Sequence, residues 1–583
     1  MKKMLVLLLG VLLLVPTFAA CSPDLKDKGA LIPVYFAGQL TNVDPTQAYY
    51  EEANAEVVSL LYECMTTINE KGEVELAAAE KYTIVEDVAN NTYSMEFVLK
   101  ENRWSDNRSV SADDFAFAWR RVLDPTFRCE AAPLLFDIKN AKAYANNELE
   151  GSKYEVGIVP DDDKLTIYFD GPIDYDRFLR NLSALALAPL REDMVSQNEH
   201  WSMVPSLAPG NGPFVLKKFT YGTELVLERN SYYYRDAEKD EYYDIVAPYR
   251  LIVDLTQNAD AQFAKYQLEK TDAAKVWYLG NFSNATATAN LADMEVTDTM
   301  TVHSYFFNTT KAPFDDANVR RALSLALDRA AIAAAVPLTK AATGFVTPGV
   351  VDTTSGTSFA EQSGTLLTYN LAEAQTLIAA ANLTASEKSF SISYREGDEV
   401  ATAIATLAKT AWDALGFNVK LDAKKASAKA APTKEDYPYV KDDHAALIDS
   451  GKFDVIAIDY QMPTTDAFAA LAPFAPAFSG GAIPATAGVE AKAAHFTGYQ
   501  NPAYETLIAA ALATRNPQTR ATILHDAERM LMNDMPVIPI VTLQKGYLAD
   551  KDLKKLSVNF RGFVMFDKAE LKNYEDYQTS AAQ

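Results

Sequence analysis

The sequence predicts an α/β fold of more than one domain, and three observations carry that reading. Residues 390–394 read as a strand, 399–415 as a helix closed by Gly416, and 419–421 as the next strand; this order implies a parallel pair with a right-handed crossover. Capped amphipathic helices alternate with short apolar strands along nearly the whole chain. Finally, 583 residues with 49% hydrophobic content suffice for two or three domains around a large core.

Taken in order, Lys2 and Lys3 precede an apolar run over 4–15 that is too short to span a bilayer and has the form of a signal-peptide core. Residues 32–36 read as a strand, Asp44-Pro45 as a turn and 51–65 as a helix, with Tyr49 and Tyr50 in the loop before it. Residues 82–99 alternate around Asn90-Asn91, which marks a hairpin. In the stretch RWSDNRSVSADDFAFAWRRVLDP, residues 103–125, Ser111 stands at a helix N-cap and Asp113 and Asp114 face the positive helix end. Phe115, Ala118, Trp119 and Val122 follow at helical spacing, and Asp124-Pro125 closes the helix. Asp161-Asp162-Asp163 reads as a solvated turn between strands, since no spaced calcium-ligand loop surrounds it. Residues 178–187 read as helical, and Pro209-Gly210-Asn211-Gly212-Pro213 is a break before strands at 214–219 and 224–234.

A strand over 245–255 and a helix over 259–268 lead to a change of pattern near Met300. Residues 302–307 read as a strand and 312–329 as one capped helix with Asp315 and Asp316 in its first turn. Asn370 caps a small-residue helix over 369–383, and the Lys/Ala-rich stretch 423–432 reads as a loop. Residues 455–460 form the next strand; helices follow after Asn501-Pro502 and up to Pro536, and 538–543 is a strand again.

The net charge of -24 argues against nucleic acid or an anionic membrane as a partner read through basic patches. It suits a soluble protein with a mild attraction for cationic ligands. Beyond Cys21, the cysteines are Cys64 and Cys129, which form one disulfide or stay as two buried thiols. No Cys or His pair has metal-ligand spacing, so no metal or cofactor is expected. A Gly-x-Ser-x-Gly elbow, a His-Glu-x-x-His helix, a phosphate loop and a dinucleotide fingerprint are all missing. His200, His303, His444, His495 and His525 are scattered and read as structural, so no catalytic residue is expected.

Several stretches carry a resemblance. Phe18-Ala19-Ala20-Cys21 resembles a bacterial lipoprotein box, which implies a signal peptide over 1–20 and a product beginning at a diacylated Cys21, with a linker over 21–30. Acyl chains at ~0.8 kcal/mol per buried methylene would then hold the protein on the extracytoplasmic face of the cell membrane. The segment 103–125 resembles a signature of the oligopeptide-binding family of solute-binding proteins, the receptors of peptide ABC importers (extracellular family 5, peptide and nickel type). Asn107 stands where that family has Gly, and tolerates the same turn. Residues 211–234, the stretch APFDDANVRRALSLALDR at 312–329, Tyr499-Gln500-Asn501-Pro502, and 527–539 are similar to further family patterns in the same order. The resemblance covers nearly all of the mature chain.

It implies a two-lobed periplasmic-binding-protein-like fold of type II, large and cluster-C-like, with an extra subdomain in the first lobe. The first lobe would span 31–300, with the subdomain at about 73–204, the second 301–538, and residues 539–583 would return to the first. By the same resemblance, the lobes close on an extended peptide that adds as a strand between them. An aspartate of the second lobe pairs with the peptide's amino terminus, and the closed monomer docks on membrane permease subunits. The family places this aspartate after a Phe-Asp-Val-like strand, where the chain reads FDVIAIDYQMPTTDAFAALAPFAPAFSGG, residues 453–481. Matching Asp-Tyr selects Asp459 with Tyr460; counting from Phe453 selects Asp466. Tyr49 and Tyr50 occupy a loop that touches ligand in the family. Three other readings stand beside this one, one of them a signalling receptor that senses peptide without importing it. The same fold could hold an oligosaccharide against Tyr49, Tyr50 and Tyr460, or the chain could be a secreted hydrolase using one of its many carboxylate pairs.

Overall fold

The computed structural model describes residues 29–36, 40–50 (48–50 by backbone alone), 52–127, 129–234, 245–351, 357–429, 439–479, 493–576 and 578. The signal segment, Cys21 and the linker up to residue 28 lie outside the described residues. The helices used below are α1 (Glu52–Leu61), α2 (Ala112–Val122), α3 (Ala317–Leu325), α4 (Glu399–Ala414) and α5 (Pro517–Asp534).

Among the described residues an eleven-stranded sheet runs through both lobes. Its strands are β1 (Leu31–Tyr35), β2 (Phe214–Thr220), β3 (Glu224–Arg229), β4 (Arg250–Asp254), β5 (Tyr278–Leu279), β6 (Glu295–Phe307), β7 (Thr339–Ala341), β8 (Ser389–Arg395), β9 (Asn418–Lys424), β10 (Val455–Gln461) and β11 (Val537–Ala549). Their spatial order is β9-β8-β10-β6-β11-β5-β1-β4-β3-β2, with β7 on β11. The parallel pair read from sequence is β8 and β9, Phe390 opposite Val419, with α4 between them in the chain.

The two lobes share β6 and β11, each 13 residues long. The ribbon they form pairs Glu295 with Tyr547 at one end and Phe306 with Val537 at the other. Its register shifts between Asp298 and Val302, so residues 299–301 face the single residue Leu543. Such a bulge bends and twists a ribbon. Met300 lies in this irregularity. On one side of it β6 pairs with β10, and beyond the other β11 pairs with β5. The sequence reading began β6 only at Val302, because Glu295–Asp298 has no apolar alternation; the ribbon partner forms that part of the strand.

A four-stranded antiparallel sheet of Ala79–Asp87, Thr92–Leu99, Lys164–Phe169 and Ile158–Asp161 falls within the stretch expected as a subdomain. Asn91 (φ 52°) and Asp162 (φ 57°) turn its hairpins in the left-handed region that short polar side chains tolerate. Against this sheet α2 buries Phe115, Ala118, Trp119 and Val122 completely. The signature segment ahead of α2 is a polar knot around Asp114, which is 2% exposed. The Asp114 carboxylate accepts from Trp104 Nε1 at 2.9 Å, the Ser111 N–H at 3.0 Å and Arg108 at 3.0 Å. Asn107 has φ 73°, which explains why a Gly or Asn suits that place.

Other elements also differ from the sequence reading: the helix read over 178–187 ends at Asn181 and the strand read over 224–234 ends at Arg229. The stretch 312–329 is not one helix: α3 ends at Leu325, and Asp328 caps a second helix, Arg329–Ala335, by accepting from Ala331 N at 3.0 Å. Arg329 forces the corner, since its buried guanidinium donates to Pro539 O at 2.7 Å and Ser324 Oγ at 2.8 Å. Of the expected loop at 423–432, Ala423 and Lys424 complete β9, and Ala426–Lys429 pairs with Tyr439–Asp442. Cys64 and Cys129 are not bridged; their thiols donate to Ala184 O at 3.3 Å and Thr46 O at 3.5 Å.

Candidate functional site

Where the lobes face each other across the β6–β11 ribbon they line a half-open cavity of about 560 Å³. That size lies within the range of small-ligand pockets. From the first lobe α1 contributes Glu52 and Glu56, one helical turn apart, and β11 contributes Lys545. From the second lobe β6 contributes His303, β10 contributes Asp459, and the N-cap of α4 contributes Asp398. Alternation along β10 explains why Asp459 faces the cavity while its neighbours Ile458 and Tyr460 are buried in the lobe.

The wall is strongly acidic. Lys545 Nζ donates to Glu56 Oε2 at 2.8 Å, and even so burial pushes the Glu56 carboxyl up to about 7. Burial also raises Glu52, against the pull of Lys545 and with Asp459 adding to the rise. Asp398 accepts the N–H of Ala401 at 2.8 Å as the cap of α4; burial first, and the Asp459 charge second, push it up to about 6. Asp459 lies 2.6 Å from Nδ1 of His303, and its side chain is 22% exposed. His444 donates through Nε2 to Ala457 O, 2.8 Å away, and burial drives it down to about 4. Carboxyls raised in this way favour a proton or an incoming cation over the bare charge.

The residues singled out from the sequence are spread over different surroundings. Asp459 stands on the cavity wall. Tyr460 points the other way and packs between Phe345 (ring centroids 5.2 Å) and Phe306 (6.1 Å). Asp466 is outside the cavity: it caps the helix Ala467–Leu471 through Phe468 N at 3.2 Å and accepts Arg520 Nη2 at 2.6 Å. Both partners of that ion pair are essentially unexposed, at 1% and 0%. Burial alone would raise Asp466, but Arg520, with Arg177 behind it, holds the carboxyl below its usual range. Tyr49 and Tyr50 end the 3-10 helix Pro45–Tyr50 ahead of α1; their side chains lie outside the described residues, as does Cys21. Glu52, Glu56, His303, Asp398 and Lys545 were not singled out. Glu56 did carry a signal: it is an acid within the run Ala55 to Leu61 that is otherwise almost wholly apolar.

No group of three or more His, Cys, Asp or Glu side chains able to hold a metal ion occurs among the described residues, and none of their helices is long and apolar enough to cross a membrane.

The family model described as bacterial extracellular solute-binding proteins, family 5 Middle, matches residues 73–504. The chain belongs to the family 5 solute-binding proteins. This family 5 chain is 26% identical over 543 residues to the dipeptide-binding protein DppE of Bacillus subtilis, covering 90% of itself and 89% of that relative. Its fold matches OppA of Haemophilus influenzae, solved in complex with the peptide RPPGFSPFR, with TM-score 0.73 at 22% identity over 94% of this chain and 99% of the other. It matches the murein tripeptide binding protein MppA of Escherichia coli with TM-score 0.72 at 22% identity, over 93% and 99%. A structure of MppA in its unliganded open form gives only 0.53 at the same identity, over 93% and 98%.

Proposed function

We propose that this protein is an extracytoplasmic receptor that binds oligopeptides between its lobes and delivers them to an ABC permease. The observation that carries the proposal is the acidic cavity between two lobes that share the β6–β11 ribbon. A ribbon with a bulge at its middle is a natural hinge, and hinge closure around a ligand is the common mode of two-lobed binding proteins. The names of DppE and OppA, and the peptide held in the OppA complex, support the peptide as ligand class.

In this reading the first lobe comprises about 31–300 and 539–583 and the second 301–538. Asp459 meets the amino terminus of the peptide, Tyr49 and Tyr50 border the ligand, and Cys21 carries the lipid that keeps a monomeric protein at the membrane. The protein acts as a receptor and leaves the peptide unchanged. The test is titration calorimetry of the mature protein with short peptides, followed by mass spectrometry of the recovered ligand. Saturable one-to-one binding with intact peptide recovered is expected; a hydrolysed product, or tight binding of an oligosaccharide and none of peptides, would refute it.

A further inference from the structure

The cavity holds more negative charge than one amino terminus can balance. Six acids lie on its wall: Glu52, Glu56, Glu396, Asp398, Glu399 and Asp459. Three of them are engaged. Glu56 holds Lys545 at 2.8 Å, Glu396 lies 3.5 Å from Lys425, and Glu399 accepts the N–H of Asn284 from the other lobe at 2.8 Å. The cavity's arginine, Arg395, is drawn off by Asp442 at 2.7 Å. Glu52, Asp398 and Asp459 face the space from three different elements: Asp398 keeps its cap bond to Ala401 N at 2.8 Å, Glu52 lies in the field of Lys545, and Asp459 lies 2.6 Å from the His303 ring.

A second observation points to a missing partner. Glu56 and His303 are each 1% exposed and lie on the cavity wall, yet Glu56 Oε1 and His303 Nε2 have no hydrogen-bond partner among the described residues. Buried polar atoms in native proteins are nearly always bonded. Both are polar groups of the cavity wall whose bonding the described residues leave incomplete.

We propose that the cavity selects ligands with two cationic groups, so that the receptor takes basic peptides: one cation is the amino terminus at Asp459, the other a lysine- or arginine-type side chain between Glu52 and Asp398. This rests on the peptide reading above and adds a substrate class to it. Like charges at short range in a site shielded from water repel strongly, and a cation placed among them gains in proportion. A peptide with a neutral side chain leaves Glu52 and Asp398 facing each other's charge; an acidic one adds to it. The raised carboxyls fit the same picture, because burial and neighbouring acids disfavour their bare charges and an arriving cation relieves that.

The experiment compares trialanine with the same peptide carrying one lysine or one glutamate, by calorimetry at pH 7.5 and pH 5 on the mature protein dialysed free of ligand. The lysine peptide should bind about tenfold or more tighter than trialanine, and the glutamate peptide more weakly. The lysine preference should shrink at pH 5, and should shrink at pH 7.5 in Glu52→Gln and Asp398→Asn. The pH comparison uses the unaltered protein, so it stands even where a variant fails to fold. Equal affinity for all three peptides overturns the inference and leaves the peptide reading intact. A simple diamine binding as tightly as the lysine peptide supports the cation site and overturns the peptide reading. Binding of none of these probes overturns both.

Discussion

Asp466 was one of two aspartates that the sequence offered as a ligand anchor, and its surroundings predict a different outcome for its substitution. Asp466→Ala removes the carboxylate that holds Arg520 at 2.6 Å and the cap on Phe468 N at 3.2 Å. Arg520 is 0% exposed and cannot reach water without a large rearrangement. Its other charged neighbours are the second buried pair, Arg177 with Asp137, so the orphaned guanidinium would share one carboxylate with another arginine. Removing one partner of such a pair costs about 3–5 kcal/mol, because a buried charge is left uncompensated. For a unit of lobe size this corresponds to a fall in Tm of roughly 6–20 °C. Asp466→Asn keeps the cap and loses only the charge, so it should fall between the wild type and the alanine variant. Next to this pair the second lobe meets the subdomain through Arg180 with Thr465 at 2.6 Å and Ser183 with Thr464 at 3.2 Å, so the loss should appear in one cooperative transition. The sign with pH follows from the lowered carboxyl: its contribution is present above the unfolded carboxylate value and is lost as pH falls through the folded one. Differential scanning calorimetry from pH 7 down to pH 3, with peptide titration alongside, measures both effects. An Asp466→Asn protein with wild-type Tm and abolished peptide binding would refute this reasoning and restore Asp466 as an anchor.

Four further outcomes are expected. Asp459→Asn should weaken binding of a free-amino peptide by about thirtyfold or more, the cost of an unpaired buried ammonium, and the effect should vanish for the N-acetylated peptide; calorimetry with both peptides checks it. Saturating peptide should leave the radius of gyration small, and removal of the ligand should enlarge it in solution scattering as the lobes part about the β6–β11 ribbon. Glu56 is raised to about 7, so the folded, unliganded protein binds a proton that the unfolded chain releases; its stability should fall as pH rises from about 5 to 7, by a few kcal/mol at most, and Glu56→Gln should flatten that slope in denaturant titrations. Cys21→Ala should release the protein from membranes or leave its signal segment uncleaved, read by fractionation and the mass of the mature N-terminus; unchanged retention with no acyl mass on the wild type would count against the anchor.

The sequence by itself determined what local chemistry controls. Helix caps such as Ser111, Asn370 and Asn501, the left-handed turn residues Asn91 and Asn107, and the strand order at β8-α4-β9 are all set within a few residues of chain, and their side chains spell them out. The family signature around Trp104 was equally legible, since the knot on Asp114 is made by residues within ten positions of one another. Only the tertiary structure decided the rest. Glu295–Asp298 is a strand because β11, far away in sequence, pairs with it. Asp459 and Asp466 are both aspartates at strand or helix ends, and nothing local tells them apart; Arg520, brought from α5, buries and neutralises Asp466, while Asp459 is left at a cavity opposite Glu52 from α1. A charge's role depends on what opposes it through space, and that opposition comes from other elements: from α5, 54 residues on, for Asp466, and from α1 across the cavity for Asp459.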